Sequence, residues 1–397
     1  MSEPRTTEEA SLPKPVVMRQ GRHKQNDKTG IRQRLKHFTF AWFLSTMSTG
    51  GLAIALAETP HKFTARYLLH PKHFLASFTH PAESFFLGSF FLSLSVIIGG
   101  IQSYGITHGP AYPWLLSTLH ILYWLYAALS LINSIFQYWI LISHSTVRPI
   151  PYLPSIFLAG YSAMLTGTIG SLIAGSQPVE RRVAIVASGV AYQGFGWCIS
   201  FIAIVSCVRN LLDQGLPPPG LRPGMFIPVG SCAYTVVALI GLANALPSTA
   251  STGYLARHPA AVEILRVMAL FVGIFLWLFA FWLFVLAVLG NVVVVGKMPF
   301  SLSWWAFIFP NVGFMLSTSI IGKELESEAI LWVASVMTIL LVGVWIVTTV
   351  GCVRATWKRK IVWLGEMKIK VDDMALISQY SCRWGGVALD LRGERLR

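Results

Sequence analysis

Charge is scarce in this chain. Of its 397 residues only 12% are Asp, Glu, Lys or Arg, where soluble globular proteins carry roughly a quarter. Acidic side chains are scarcer still, and all 17 fall in tails, in linkers or at the edges of apolar runs, never in the middle of one. Their absence excludes a cation channel with an acidic ring and a pump that relays protons through buried carboxylates. The five cysteines, Cys198, Cys207, Cys232, Cys352 and Cys382, include no CxxC pair, so neither a disulfide framework nor a thiolate metal site is expected. Only His120 of the ten histidines lies clearly inside an apolar run, and an intramembrane metalloenzyme needs several converging on one point. The loop cluster His61, His70, His73 and His80 is irregularly spaced and lacks cysteine, a poor metal-ligand pattern. A Gly-rich phosphate loop, a nucleophile elbow and an HExxH stretch are also missing, and with them the commoner enzyme classes. The chain is expected to be no enzyme and to carry no metal or cofactor. The first apolar run begins only near Phe38, with no short apolar stretch and cleavage site before it, so no cleaved signal is expected.

Apolar residues are abundant instead, at 54% of the chain with a mean hydropathy of +0.60. Nine runs are long enough to cross a hydrocarbon core of roughly 30 Å as helices. They lie near 38–57, 84–104, 112–140, 152–175, 183–208, 223–247, 265–289, 302–321 and 327–351. Short linkers join them, which predicts one all-α polytopic bundle embedded in the lipid bilayer. The membrane domain spans 38–353, between basic tails at 1–37 and 354–397. Most of the net charge of +14 sits in those tails, which the positive-inside rule places in the cytoplasm. Basic clusters beside membrane spans contact anionic lipid, and no nucleic-acid partner is expected. Nine crossings, however, put the two ends on opposite sides. The conflict points to Glu58–Glu83, whose four histidines, three basic residues and three prolines cannot sit in hydrocarbon as a helix.

Helix breakers recur in nearly every second run. Gly50-Gly51, Gly99-Gly100, the set Gly160, Gly167 and Gly170, the pair Pro228 and Gly230, and the pair Pro310 and Gly313 mark the first, second, fourth, sixth and eighth runs. The intervening runs are mostly unbroken, the run from 183 excepted, with Gly189, Gly194 and Gly196. Broken backbone in a membrane is tolerated where it faces water or protein, so the broken set is expected to line a conduit and the straight set to face lipid. A single glycine also permits close helix packing; the near-alternation is what favours the conduit. The same runs carry the hydroxyls and amides Ser48, Thr49, Thr166, Ser231 and Asn311. With no fixed positive charge in the apolar cores, they would hold an anion weakly, as permeation requires.

The opening HFTFAWFLSTMSTGGLAIALAETPHKF, THPAESFFLGSFFLS from Thr79, FIPVGSCAYTVVALIGLA from Phe226 and SWWAFIFPNVGFMLSTSIIGKELES from Ser303 resemble the tellurite-resistance/dicarboxylate transporter family. The likeness is to its fungal malic acid permease branch, related to slow anion channels, and it covers about residues 37 to 360. The resemblance implies ten helices as five hairpins around a central pore, the first helix of each hairpin inside, in a homotrimer at the plasma membrane. It implies transport of C4-dicarboxylates, malate above all, with sulfite efflux as the neighbouring activity. A phenylalanine on the ninth family helix plugs the pore in slow anion channels. Its surroundings match Trp304-Trp305-Ala306-Phe307-Ile308-Phe309-Pro310, which assigns the gate to Phe309. The expected path is lined by Ser48, Thr49, Gly50, Gly51, Gly99, Gly100, Thr166, Gly167, Gly170, Gly230, Ser231, Pro310, Asn311 and Gly313. The family's second helix has no counterpart between ETPHKF and THPAES, which accounts for nine visible spans where ten are expected.

Overall fold

The computed structural model describes residues 78–79, 84–109, 111–144, 154–247, 253–258 and 260–358. The run at 38–57 and most of the linker at 58–83 lie outside them, so eight of the nine expected spans can be compared. All eight form helices long and apolar enough to cross a membrane. They are α1 (Leu87–Gly100), α2 (Pro113–His144), α3 (Phe157–Ile173), α4 (Val179–Gln214), α5 (Ile227–Ala245), α7 (Ala261–Val292), α8 (Phe309–Glu324) and α9 (Glu328–Trp357), with a short α6 (Gly253–Arg257) in a linker. Several run past the apolar boundaries read from sequence. The 36 residues of α4 extend about 54 Å, so Glu180, Arg181 and Arg182 continue the helix beyond the hydrocarbon. Hydropathy marks where the lipid ends, whereas backbone hydrogen bonding continues into the headgroups.

The expected division into broken and straight helices is present, with its breaks moved to the ends. α1 passes after Gly99-Gly100 into a π-helical stretch, Ile101–Thr107. Single 3₁₀ turns flank α3 at Pro154–Ile156 and Ala174–Ser176, and others lead into α5 at Arg222–Phe226 and α8 at Leu302–Phe307. Pro228 and Pro310 fall in the first turns of α5 and α8, where no intrahelical N–H is lost. The glycines of α3 do not interrupt it. α2, α4, α7 and α9 run unbroken for 30 to 36 residues.

Burial follows the same alternation. Of the most apolar window of each span, 83% is buried for α3 and α5 and 67% for α8, against 28% for α2, α4 and α7 and 6% for α9. α1 departs from it at 28% and is the first inner helix among the described residues. α1, α3, α5 and α8 touch in that order as inner helices, and each packs against the outer helix that follows it. Each outer helix α2, α4 and α7 also reaches the next inner one. Outer faces present Trp124, Phe136, Phe271, Phe275, Ile339 and Val347, side chains suited to lipid.

Two seams fix α3. Against α4, Gly160 and Gly167 meet Gly196 and Gly189 in antiparallel register, close enough that a Cβ at Gly196 would stand 2.5 Å from Met164 Cβ and 2.7 Å from its Cα. Such small-residue contact is how helices associate where lipid is as apolar as leucine. Against α2 the seam is polar. Tyr126 donates to Ser162 O at 2.8 Å, Ser130 meets Thr166 Oγ1 at 3.1 Å, Asn133 donates to Ser162 Oγ at 3.1 Å and Ser134 to Ala159 O at 2.8 Å. These groups recur every three or four residues, so one stripe of α2 faces α3.

Gly196 and Gly194 lie on opposite sides of α4, the second in open space, and alanine should separate them. In detergent-solubilised protein followed by thermal unfolding, Gly196→Ala is expected to lose about 1–3 kcal/mol to overpacking. Gly194→Ala should be neutral or gain up to ~1 kcal/mol from helix propensity.

Candidate functional site: a closed constriction between α3, α5 and α8

Three inner helices converge where α8 begins. Ile308 (φ −106°, ψ −67°) is the junction between the 3₁₀ turn and α8, and it sets Phe309 against α5. The Phe309 ring is 4% exposed. It stacks on Tyr234 with centroids 4.9 Å apart and an interplanar angle of 28°, an offset geometry worth about 0.5–1.5 kcal/mol beyond area burial. The Tyr234 hydroxyl donates to the carbonyl of Phe309 at 3.1 Å, so backbone and ring of the same residue are held by one tyrosine. On the other side of α5, the Tyr161 hydroxyl of α3 donates to Ile227 O.

Glycines make room for this cluster. A Cβ at Gly313 would stand 2.7 Å from Tyr234 Cε2, and one at Gly230 would stand 3.2 Å from Pro310 Cα and from the Tyr161 hydroxyl. Gly230 and Tyr234, and Phe309 and Gly313, are each four apart, so on two parallel helices Tyr234 lies beside Gly313 and Gly230 beside Pro310. Phe307 and Phe226 meet edge-on at 5.5 Å. Phe314 stacks on Trp277 of α7 at 5.5 Å, and the Trp277 indole donates to Thr318 Oγ1 at 2.9 Å. Aromatic and hydroxyl contacts thus lock α8 between α5 and α7.

The expected path residues divide into three groups. Gly230, Phe309, Pro310 and Gly313 come together at the constriction. Ser231 is buried beside them with its hydroxyl donated to Pro228 O at 2.7 Å, and Asn311 donates to Phe307 O at 2.9 Å. Gly99 and Gly100 lie at the far end of α1, where a Cβ at Gly99 would meet Leu172 Cδ1 at 3.3 Å and one at Gly100 would meet open space. Thr166 and Gly167 are used differently from the expectation: Thr166 bonds Ser130 of α2, and Gly167 abuts Gln193 and Gly189 of α4. Gly170 likewise borders Leu242 of α5 and Tyr123 of α2. The physical reason is that inner helices need small residues and hydroxyls on their packed faces as well as on any open one. Ser48, Thr49, Gly50 and Gly51 lie outside the described residues.

Sequence reasoning passed over Tyr161 and Tyr234, although each is a large polar aromatic set among the small residues of a broken run. It also took α2 as plain lipid-facing wall, when the spacing of Tyr123, Tyr126, Ser130, Asn133, Ser134 and Gln137 already traced a polar stripe at helical period. Among the described residues no acidic side chain lies in the middle of a span, and no three of His, Cys, Asp and Glu are grouped to hold a metal.

Helical hairpins with buried inner and lipid-facing outer members define a multi-pass membrane protein, the plan of a transporter or channel. The chain belongs to the SLAC1, or voltage-dependent anion channel, family, whose pattern matches residues 62–353. It is 29% identical to the malic acid transport protein of Schizosaccharomyces pombe over 357 positions, covering 82% of this chain and 80% of that one. A putative malic acid transport protein of the same organism is 27% identical over 364 positions, covering 85% and 84%. The sulfite efflux pump SSU1 of Arthroderma otae is 24% identical over 351 positions, covering 79% and 89%. Malate and sulfite carriers share the fold, and the family is one of anion transport.

Removing the Tyr161 hydroxyl should loosen the constriction without opening it. Tyr161→Phe is expected to cost about 0.5–1.5 kcal/mol, the net worth of one buried hydrogen bond to a carbonyl that α5 also uses, read as a lower unfolding temperature in detergent. Gly230→Leu, which would drive a side chain into Pro310, should prevent recovery of monodisperse protein.

Proposed function

We propose that this protein carries C4-dicarboxylates, malate foremost, across the plasma membrane through an axial path closed by Phe309. The observation that carries the gate is its position: a ring packed between inner helices, stacked on Tyr234 and tethered through its own carbonyl. An apolar ring at a constriction excludes water and must swing aside before an ion can pass. Dicarboxylate as the cargo is supported by the likeness to malic acid transport proteins along most of both chains. The described inner spans hold no cation in mid-span, which suits an anion that must leave as readily as it enters. Both basic tails lie in the cytoplasm, and three copies assemble, each with its own path.

Sulfite export is the second reading, supported by likeness to sulfite efflux pumps over 89% of one such chain. Labelled malate uptake in a permease-deficient yeast, with sulfite as competitor, separates the two. Saturable malate uptake that excess sulfite does not suppress, and that rises several-fold in Phe309→Ala at equal surface expression, is the expected outcome. Uptake suppressed by sulfite, or sulfite carried in place of malate, would move the cargo to the second reading. A Phe309→Ala variant no faster than the parent would remove the gate.

A further inference from the structure

Among the described spans, α9 has the least protein around it. Its buried residues, Ala334, Thr348 and Ala355, lie on one side at helical period, the side that packs on α8. Val350, Val353 and Trp357 lie on the other side and are 60%, 59% and 86% exposed. Residues 329–353 hold no charged side chain, about 37 Å of helix, more than a hydrocarbon core of roughly 30 Å needs. Arg354 is the first charge after that stretch and so marks the headgroup boundary.

At that boundary Thr349, Val350, Val353, Arg354, Trp357 and Lys358 border an open hollow of about 330 Å³. Arg354 and Lys358 stand one turn apart, both exposed, and neither side chain has an ion pair or hydrogen bond among the described residues. No acidic residue borders the hollow, and the sequence continues through Arg359 and Lys360 before its next acid, Glu366. The whole side is basic. Its described charges are Arg209, Arg222, Lys297, Arg354 and Lys358 against Asp213, which pairs with Arg209 at 3.4 Å. At the opposite ends of the described spans, acids and cations are equal in number.

We propose that this end of α9 binds one anionic phospholipid, its phosphate between Arg354 and Lys358, its glycerol beside Trp357 and an acyl chain along Val353 and Val350. A guanidinium takes phosphate oxygens in pairs and an ammonium holds them as a point charge. The indole sits at the depth where aromatic side chains meet headgroups. The exposed valines fit an acyl chain, whereas a soluble phosphate would leave them uncovered. A zwitterionic lipid brings a cation of its own to two cations and gains less. With the C-terminal tail cytoplasmic, the lipid belongs to the inner leaflet, where anionic headgroups concentrate. The site depends neither on the cargo nor on the gate.

The test is native mass spectrometry of the full-length chain in nonionic detergent, titrated with phosphatidylserine or phosphatidylcholine. The parent is compared with Arg354→Gln, Lys358→Gln, the double variant, Arg354→Lys and Lys297→Gln. Phosphatidylserine should be retained in preference to phosphatidylcholine, with affinity falling about fivefold for each of the two charges removed, the worth of one basic residue near an anionic membrane. Arg354→Lys should bind as the parent does, as should Lys297→Gln, a charge lost on the same side but outside the hollow. Equal retention of the two lipids, or a double variant that keeps parental binding of phosphatidylserine, overturns the proposal. An equal loss in Lys297→Gln also overturns it, since attraction would then be spread over the whole basic side.

Discussion

Hydrocarbon offers a buried carbonyl or hydroxyl no partner, and the rest of this structure depends on that fact. Every polar group at membrane depth must be satisfied by the protein or face a wet path. The hairpin plan answers the constraint by wrapping irregular, hydroxyl-bearing inner helices in long regular outer ones. α2 shows how: its outer face is tryptophan, isoleucine and phenylalanine, while its inner stripe delivers Tyr126, Ser130, Asn133 and Ser134 to backbone and hydroxyl oxygens of α3. α4 answers it by approach, its glycines bringing two backbones together so that few polar side chains are needed there.

The constriction is a consequence of the same packing. Tyr234 is buried, so its hydroxyl must bond, and the carbonyl it finds belongs to Phe309 at the start of α8. That bond and the ring stack act on one residue, which makes the position of α8 relative to α5 and the position of the ring a single variable. Gly230 and Gly313 set how near the two helices come. On the proposed reading, opening a path here would require Tyr234 and Phe309 to separate, since the two rings stack and share a hydrogen bond.

Much of this was legible in the sequence because membrane chemistry writes in long runs. The eight described spans, the inner–outer alternation of α3, α5 and α8 and the absence of acids in mid-span follow from hydropathy and the spacing of Gly and Pro. The breaks themselves were misplaced, since Pro228 and Pro310 act at helix starts and the glycines of α3 serve its seams. Periodicity reports that a glycine is needed and leaves open which neighbour needs it. Thr166 and Gly167 therefore went to the path on paper and to α2 and α4 in space. Tyr161 and Tyr234 were missed for the converse reason: their roles come from partners 66 and 75 residues away, a relation no local spacing carries. The lack of an outer helix between residues 58 and 83 was read from parity of charge and topology, and that interval lies mostly outside the described residues.

The central claim is that Tyr234 holds Phe309 closed, and a double-mutant cycle on anion flux tests it most directly. Flux would be measured for the parent, Tyr234→Ala, Phe309→Ala and the double variant at equal surface expression. If the two rings form one closure, each single variant is faster than the parent, and the double is no faster than Phe309→Ala alone. Independent, multiplying effects, or a Tyr234→Ala variant that carries anions at the parental rate, would contradict it.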